Sequence, residues 1–261
     1  MAFSYKHVVV IGATSGIGKG MADRLVESGM KVTAVGRRVD RLNDFIKQHG
    51  DSKASGVSFD ISEYQKAPQF AADVIKKFPD IDCLFLNAGI QGSHDLANFE
   101  HVDLEQFNSE MTTNYMGLVA LVHAFLPHLR KQKQASIVFT GSNISIVPAC
   151  SLPNYSASKA ALNVFTLCLR EQLKAAGSHL KVIEISPPPV QTEIHDYMGE
   201  GGAKFGMPID EFTMEVMEGL NAGHDQIVIG AVLDPKAFNE IVDKRRALFE
   251  GLAKVMRGLG A

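Results

Sequence analysis

The chain is poor in cysteine and has no long apolar run. Its three cysteines, Cys83, Cys150 and Cys168, are odd in number and widely spaced, so we expect no disulfide framework. No stretch approaches the roughly 18 apolar residues that a membrane-spanning helix needs. The first residues show no signal-peptide pattern and lead straight into an apolar strand. We therefore expect a cytoplasmic protein that does not enter a membrane.

The sequence also lacks an excess of either charge. A formal net charge of −3 argues against a general nucleic-acid binder, because such proteins usually carry a basic surface. The nine histidines are scattered without the paired spacing of metal ligands, so we expect no metal site. With 46% hydrophobic residues, the chain has enough apolar material for a substantial core.

Seven short apolar runs alternate with amphipathic segments. The runs are rich in β-branched residues and almost continuously apolar, as parallel strands covered on both faces are. They lie at 7–12, 31–36, 56–60, 83–87, 136–141, 181–186 and 226–230. The helical patterns between them lie at 16–28, 38–49, 63–78, 103–131, 155–176, 210–222 and 235–258. This alternation predicts one α/β domain over 1–261, a doubly wound parallel sheet with helices on both faces.

One segment, 187–209, is too long and too rich in proline and glycine to be a simple connection. Loops of this length in compact domains are usually functional or disordered. The segment follows the carboxyl end of a strand, where ligands of open α/β sheets bind. We interpret it as a substrate lid in preference to a disordered insertion.

Three glycines, Gly12, Gly16 and Gly18, stand between the first strand and the first helix. Glycines permit a tight turn and a close approach of the backbone, and the N-terminus of a helix attracts a pyrophosphate. Because this turn opens the first βα unit of a parallel sheet, it predicts a nucleotide site.

The end of the second strand carries two cations, Arg37 and Arg38, after Gly36. Sites for NAD usually place an acidic residue here for the ribose 2′-hydroxyl, whereas a guanidinium suits a 2′-phosphate. Alternatively, either arginine is merely solvated at a helix start, where cations are slightly unfavourable. We favour NADP(H), with Arg37 as the direct contact.

Tyr155 and Lys159 stand one helical turn apart and therefore emerge on the same face. An ammonium beside a phenol favours the phenolate, which suits proton transfer, but the same pair also occurs as an ordinary surface contact. Ser142 ends the fifth strand, thirteen residues before Tyr155.

With these pieces in order, the chain resembles the classical short-chain dehydrogenase/reductase family, whose fold is a Rossmann-type sheet. The matching motifs are GATSGIG at 12–18, Asp60 in FDIS, NAG at 87–89, Asn114 in TTNYMG, Ser142, and Tyr155 with Lys159. The resemblance covers 7 to about 192. Taken alone, Ser142 could be a strand-end cap, Asn114 a polar helix residue and Asp60 a turn former.

The resemblance implies a role for each matching residue. Tyr155 would be the acid or base, Lys159 would lower its pKa and bind the nicotinamide ribose, and Ser142 would donate to the substrate oxygen. Asn114 would interrupt its helix to hold a water that links Lys159 to solvent. The implied cofactor contacts are Gly12, Thr14, Ser15, Gly16, Ile17, Gly18, Arg37, Arg38, Asp60, Asn87, Ala88, Gly89, Tyr155, Lys159, Val190 and Thr192.

The sequence departs from the usual family pattern at two strand ends. Ile11 stands where a threonine usually precedes the first glycine, and Leu86 where an asparagine usually precedes Asn87. We expect an apolar pairing of the first and fourth strands to replace the lost polar groups.

The expected substrate pocket is mostly apolar and uncharged. We predict that its wall includes Ile144, Val147, Cys150, Pro188, His195, Tyr197 and Met198. Such a wall favours a medium-sized, largely uncharged ketone or aldehyde over an acyl-CoA or a sugar phosphate. His195 either tunes specificity or is an exposed loop histidine, and we favour exposure.

Two long helices predict association, and the last helix leaves its partner open. Helices 103–131 and 155–176 carry more apolar residues than one side of a sheet buries, and family members commonly pair through them, so we expect a homodimer or homotetramer. The last helix has an apolar stripe of Ile241, Leu248, Leu252, Val255 and Leu259 with basic residues elsewhere. Such a stripe covers the chain's own sheet, a partner subunit or, less commonly, a membrane surface.

Three functions remain open at this point. The first is an NADPH-dependent carbonyl reductase, equivalently an NADP-dependent alcohol dehydrogenase. The second is an enzyme that uses the cofactor without net redox, as in an epimerisation or cyclisation. The third is an NADPH-sensing protein with little turnover, which would have no need for a tuned phenol.

Overall fold

A computed structural model of the protein describes residues 3–258. Within them, seven parallel strands form one sheet in the order β3-β2-β1-β4-β5-β6-β7. The strands are β1 His7–Ile11, β2 Lys31–Gly36, β3 Ala54–Ser58, β4 Cys83–Leu86, β5 Ser136–Thr140, β6 Lys181–Ser186 and β7 Gln226–Val228. The predicted doubly wound sheet is confirmed. The predicted domain range 1–261 extends past the described residues at both ends.

The helices cover both faces of the sheet. They are α1 Gly16–Glu27, α2 Val39–His49, α3 Ala67–Lys77, α4 Leu104–Met111, α5 Gly117–Leu129, α6 Pro153–Ala175, α7 Ile209–Ala222 and α8 Pro235–Gly258. Along β1, Val8 and Val10 pack into one core, with α1, α2 and α7. Val9 and Ile11 pack into the other core, with α3, α5 and α6. The near-continuous apolar strands of the sequence therefore serve two cores at once.

The long helix predicted at 103–131 is three pieces. Thr112–Met116 forms a π-helical turn between α4 and α5. No proline marks this interruption in the sequence, since the proline of α5, Pro127, lies further on. Because π-turns occur often at functional sites, the break itself is a pointer to function.

The predicted lid is an ordered segment. Val190 bridges Met207 as a parallel pair, and Glu193–Lys204 folds into 3₁₀ turns. The bridge fixes both ends of the segment beside β6, at the carboxyl edge of the sheet.

The final helix exposes its apolar stripe. On the side facing the body, Phe238 and Val242 are buried, and the Arg246 guanidinium binds the Asp225 carboxylate at 2.7 and 2.8 Å. Leu248 and Leu252 are 75% and 59% exposed, so the second half of the helix does not cover the sheet. Leu259 of the predicted stripe lies outside the described residues. No helix within 3–258 is both long and apolar enough to cross a membrane.

Candidate active site

A cavity of about 750 Å³ opens at the carboxyl edge of the sheet, where the strand order reverses between β1 and β4. Ligands of doubly wound sheets bind at such a switch point. The cavity runs from the glycine turn after β1, past the ends of β2, β4 and β5, to the lid.

The glycine turn is shaped for close backbone approach. Gly12 has φ +83°, and a Cβ there would lie 2.6 Å from Ala88 Cα. Thr14, Ser15, Gly16 and Ile17 line the cavity at the start of α1. Gly18 packs behind the turn, against the Gly12 carbonyl, and does not line the cavity. The turn therefore offers the N-terminus of α1 to a phosphate.

The two arginines after β2 line the cavity but differ in their contacts. The Arg38 guanidinium donates to the Thr14 and Ser15 hydroxyls and binds Glu193 Oε2 at 2.7 Å. Arg37 has a looser ion pair, 3.7 Å from Asp60 Oδ2, and its side chain is 68% exposed. Arg37 is therefore the freer cation.

The remaining predicted cofactor contacts also converge on the cavity. Asn87, Ala88 and Gly89 line it from the end of β4, Asp60 from the end of β3, and Val190 and Thr192 from the lid. Of the cofactor residues predicted from the sequence, only Gly18 lies outside the lining.

Ser142, Tyr155 and Lys159 meet on the same wall of the cavity. Lys159 Nζ donates a 2.8 Å hydrogen bond to Thr140 O and lies 5.7 Å from the centroid of the Tyr155 ring. The Ser142 hydroxyl accepts from Ile144 N at 3.4 Å, which leaves its O–H free to donate. Ser142 is thus both a cap and a candidate donor.

Burial shifts the pKa values of both titratable groups. Burial raises the pKa of the Tyr155 phenol, the Glu110 carboxylate raises it further, and the Ser142 hydroxyl opposes them. Burial lowers the pKa of Lys159 to about 8, against the attraction of Glu184. The lowering of the Tyr155 pKa by Lys159 that the family resemblance implies stays a prediction.

Asn114 lies behind the cavity, within the π-helical turn, and is fully buried. Its amide accepts from Ile90 N at 2.8 Å and donates to Ile90 O at 2.9 Å and Ser158 Oγ at 3.0 Å. The predicted interruption of the helix at Asn114 matches the structure. The water relay through Asn114 stays a prediction.

The substrate end of the cavity contains part of the predicted wall. Ile144, Pro188, His195 and Tyr197 line it. Val147, Cys150 and Met198 do not, which corrects the prediction: Cys150 and Met198 are exposed to solvent, and Val147 lies beyond the short 3₁₀ turn Asn143–Ser145, whose Asn143 and Ile144 line the cavity. Residues that the sequence analysis missed complete the wall, namely Gln91, Leu152, Phe205, Ala231 and Val232.

His195 is buried, and the preference for an exposed histidine was wrong. Its ring packs edge-on against Phe205, with the centroids 5.3 Å apart, and burial lowers its pKa. Gln91 Nε2 lies 3.5 Å from His195 Nδ1 and donates to Tyr197 Oη at 2.8 Å. Burial therefore favours the neutral form of the His195 ring.

Three charged residues near the site escaped the sequence analysis. Arg41 NH1 binds Glu193 Oε1 at 2.6 Å, and Glu110 forms a buried pair with His94 at 3.3 Å. Glu110 precedes Asn114 by one helical turn, and this spacing could have indicated that it faces the site. Its partner His94 lies in a loop, where no periodic pattern indicates a contact.

Known proteins share these features. A family model described as short chain dehydrogenase matches residues 6–201, a range that holds the glycine turn and all four predicted catalytic residues. The uncharacterized oxidoreductase DltE of Bacillus subtilis (strain 168) is 31% identical over 231 residues, covering 87% of this chain and 89% of the relative. The serine 3-dehydrogenase of Agrobacterium fabrum (strain C58) is 34% identical over 186 residues, covering 71% of this chain and 72% of the relative.

The fold also matches solved structures. A short chain dehydrogenase from Burkholderia cenocepacia J2315, in complex with NADP, superposes with a TM-score of 0.76 at 28% sequence identity. The match covers 97% of this chain and 99% of that chain, so it includes the lid and α8.

Proposed function

The chain belongs to the short-chain dehydrogenase/reductase family of oxidoreductases, and from that premise we propose that it is an NADPH-dependent reductase of a ketone or aldehyde. In the reverse direction it is an NADP-dependent alcohol dehydrogenase. The observation that carries the proposal is the convergence of Ser142, Tyr155 and Lys159 on one wall of the cavity that the glycine turn opens.

The residues of the cavity fit a dinucleotide. The glycine turn leaves room for a backbone approach that a Cβ at Gly12 would block, and α1 presents its N-terminus there. Arg37 and Arg38 supply the charge that a ribose 2′-phosphate needs. The NADP complex of the Burkholderia cenocepacia relative supports the same choice of cofactor.

NADPH, when bound, supplies the hydride to the carbonyl carbon. Tyr155 then gives its proton to the carbonyl oxygen, and the Ser142 hydroxyl donates a hydrogen bond to that oxygen as charge develops on it. Because burial raises the pKa of Tyr155, the phenol keeps its proton at neutral pH and is ready to act as an acid. The ammonium of Lys159 stabilises the phenolate that is left behind.

The substrate end of the cavity favours an uncharged carbonyl compound. Ile144, Leu152, Pro188, Phe205 and Val232 give it apolar walls. Within the described residues, the Lys and Arg side chains lining the cavity are Arg37, Arg38 and Lys159, all at its cofactor side. The polar residues Gln91, His195 and Tyr197 offer hydrogen bonds without charge. This supports a medium-sized neutral ketone or aldehyde over a phosphorylated substrate.

The test is a single-turnover measurement of NADPH oxidation over a panel of neutral carbonyl compounds. Tyr155→Phe should slow the reaction by at least about 10²–10⁴-fold, the range that general acid catalysis supplies. The affinity for NADPH should stay nearly unchanged, and this affinity serves as the control for folding. A Tyr155→Phe protein that keeps more than a tenth of the rate would show that the proton comes from elsewhere. Conversion of a carbonyl compound without net NADPH oxidation would favour the non-redox alternative.

A further inference from the structure

Lys159 is almost fully buried in the wall of the cavity. The residue is 2% exposed, and Nζ donates to Thr140 O at 2.8 Å. Within the described residues, no carboxylate lies within 4.0 Å of Nζ. An ammonium in such a place tends to lose its proton, because burial disfavours the charged form. The reaction nevertheless needs the charge beside Tyr155, so another group must favour it.

A buried carboxylate lies against the same peptide unit. Glu184, on β6, is fully buried. A Cβ at Gly141 would lie 2.6 Å from Glu184 Oε1, so only glycine at 141 leaves room for the carboxylate. Since Lys159 donates to the carbonyl of Thr140, the ammonium and the carboxylate both lie close to the backbone of Thr140 and Gly141.

The helix that carries Lys159, α6, also donates hydrogen bonds to the Glu184 carboxylate. Asn163, one turn after Lys159 on α6, donates from Nδ2 to both oxygens of Glu184, at 2.9 and 2.8 Å. A protonated carboxyl would instead offer its O–H to Asn163 Oδ1, and that oxygen has no hydrogen-bond partner within the described residues. These contacts suit an ionised carboxylate, because both of its oxygens accept hydrogen bonds.

The other charged groups near Glu184 also favour its ionised form. Burial raises the pKa of Glu184 above its ordinary value, and Asn163 and the cations Arg170, Arg245 and Lys159 offset only part of that rise. Arg170, on α6, forms an ion pair with Asp225, and Arg245 lies on α8. On its own side, Lys159 faces Tyr155 from α6 and Glu184 from β6. Glu184 is the carboxylate that acts on Lys159.

We propose that Glu184 is a positioning residue for the reaction: a buried counter-ion that keeps the ammonium of Lys159 charged beneath the proton-donating tyrosine. The residue acts through Lys159 and does not touch the substrate. The proposal rests on the function proposed above for Lys159, but its main test needs no turnover. It also accounts for Gly141 and Asn163, which the reaction itself does not use.

The test measures the protonation of Lys159 directly. Lysine side chains labelled with ¹³C are titrated by NMR, and the Lys159 signal is assigned through Lys159→Arg. Glu184→Gln keeps the shape and removes the charge, so the Lys159 midpoint should fall by about one pH unit or more. The matched control is Glu171→Gln, a glutamate-to-glutamine change on α6 about three turns after Lys159. It should leave the Lys159 midpoint unchanged. An unchanged midpoint in Glu184→Gln would overturn the proposal.

The pH profile provides a second readout that a merely structural role would not move. In Glu184→Gln the alkaline fall of carbonyl reduction should shift to lower pH by the same amount as the NMR midpoint. If the protein turns over no carbonyl compound, the proposed function is wrong. The NMR titration still shows whether Glu184 raises the pKa of Lys159.

A measurement on the unmutated position covers the case in which Glu184→Gln does not fold. Isotope-edited infrared spectroscopy of glutamate-labelled protein is recorded at neutral pH in a Glu110→Gln background, which removes the other buried glutamate. No protonated carboxyl band should appear at neutral pH, and the presence of such a band would contradict the proposal.

Discussion

Glu193 of the lid binds two arginines across the cofactor cavity, with Oε2 2.7 Å from Arg38 NH1 and Oε1 2.6 Å from Arg41 NH1. Burial acts to raise the pKa of Glu193, but the hydrogen bonds from Arg38 and Arg41 outweigh it and lower the pKa to about 2. The carboxylate is therefore charged throughout the neutral range, and the lid is tied to the side of the cavity that a 2′-phosphate would approach.

The ion pairs of Glu193 with Arg38 and Arg41 predict that Glu193→Gln tightens NADPH binding. Removal of the carboxylate frees two guanidinium groups for a phosphate, and exposed ion pairs of this kind are worth about 0–1 kcal/mol, so the Kd should fall by up to about fivefold. NADH, without the 2′-phosphate, should gain less. Fluorescence titration measures both. Glu200→Gln, exposed on the same segment, is the control, and an unchanged or weaker NADPH affinity in Glu193→Gln would show that the carboxylate does not compete for the arginines.

Arg37 should decide between the two cofactors. Its side chain is largely exposed and forms a loose ion pair with Asp60, at 3.7 Å. Arg38 is held more tightly, by Thr14, Ser15 and Glu193. We expect NADPH to bind more tightly than NADH, and Arg37→Ala to narrow the gap by weakening NADPH alone. Arg38→Ala should weaken both cofactors, because it removes support from the glycine turn. Equal affinities of the unaltered protein for NADPH and NADH would contradict the assignment.

We expect the predicted association to use the surface formed by the π-helical turn, α5 and α6. Met116 and Val164 are 38% and 50% exposed, and a groove of about 470 Å³ beside α5 is lined by Tyr64, Tyr115 and Val119. We expect a homodimer or homotetramer, and Met116→Asp with Val164→Asp should release monomers in sedimentation velocity. Leu252→Asp on the exposed side of α8 is the matched control. A loss of association in Leu252→Asp alone would place the interface on α8, and a monomer at micromolar concentration without any substitution would refute association.

The strands could be predicted because they follow from local pattern, and the pairing of β1 with β4 was expected from the family resemblance. The apolar replacement expected at Ile11 and Leu86 is confirmed: the two residues are partners in the register of β1 and β4, and both are buried. Sequence periodicity reports burial on both faces of a strand directly. The convergence of Ser142 with Tyr155 and Lys159 was equally predictable, since the family motif fixes their order.

Contacts between distant loops could not be predicted in the same way. Glu193 meets Arg38 and Arg41 from more than 150 positions away, in a segment without periodicity. The π-helical turn at Thr112–Met116 has the composition of an ordinary helix, and the hydrogen bonds of Asn114 with the Ile90 backbone join it to a distant loop. The buried position of His195 likewise depends on how the lid folds, because its ring packs against Phe205 of the same segment.

Ser142→Ala should slow carbonyl reduction by less than Tyr155→Phe does. The hydroxyl accepts from Ile144 N and has its proton free for the substrate oxygen, so its loss resembles removal of one oxyanion donor, about 10²–10³-fold. Single-turnover NADPH oxidation measures the effect. Ser145→Ala, in the same 3₁₀ turn, is the control and should stay near the unaltered rate. A loss in Ser142→Ala as large as that of Tyr155→Phe would indicate that Ser142 also takes part in the proton transfer.

Lys159 should set the alkaline limit of the reaction. Burial lowers its pKa to about 8, so the ammonium is present below that pH and is lost as the pH rises through it. Because the ammonium stabilises the phenolate of Tyr155, kcat/KM for carbonyl reduction should fall across the same range. Lys159→Arg keeps its charge at every accessible pH, so its rate, though lower, should not fall near pH 8. Lys174→Arg, exposed near the end of α6, should keep the original profile. The same alkaline fall in Lys159→Arg would assign that titration to another group.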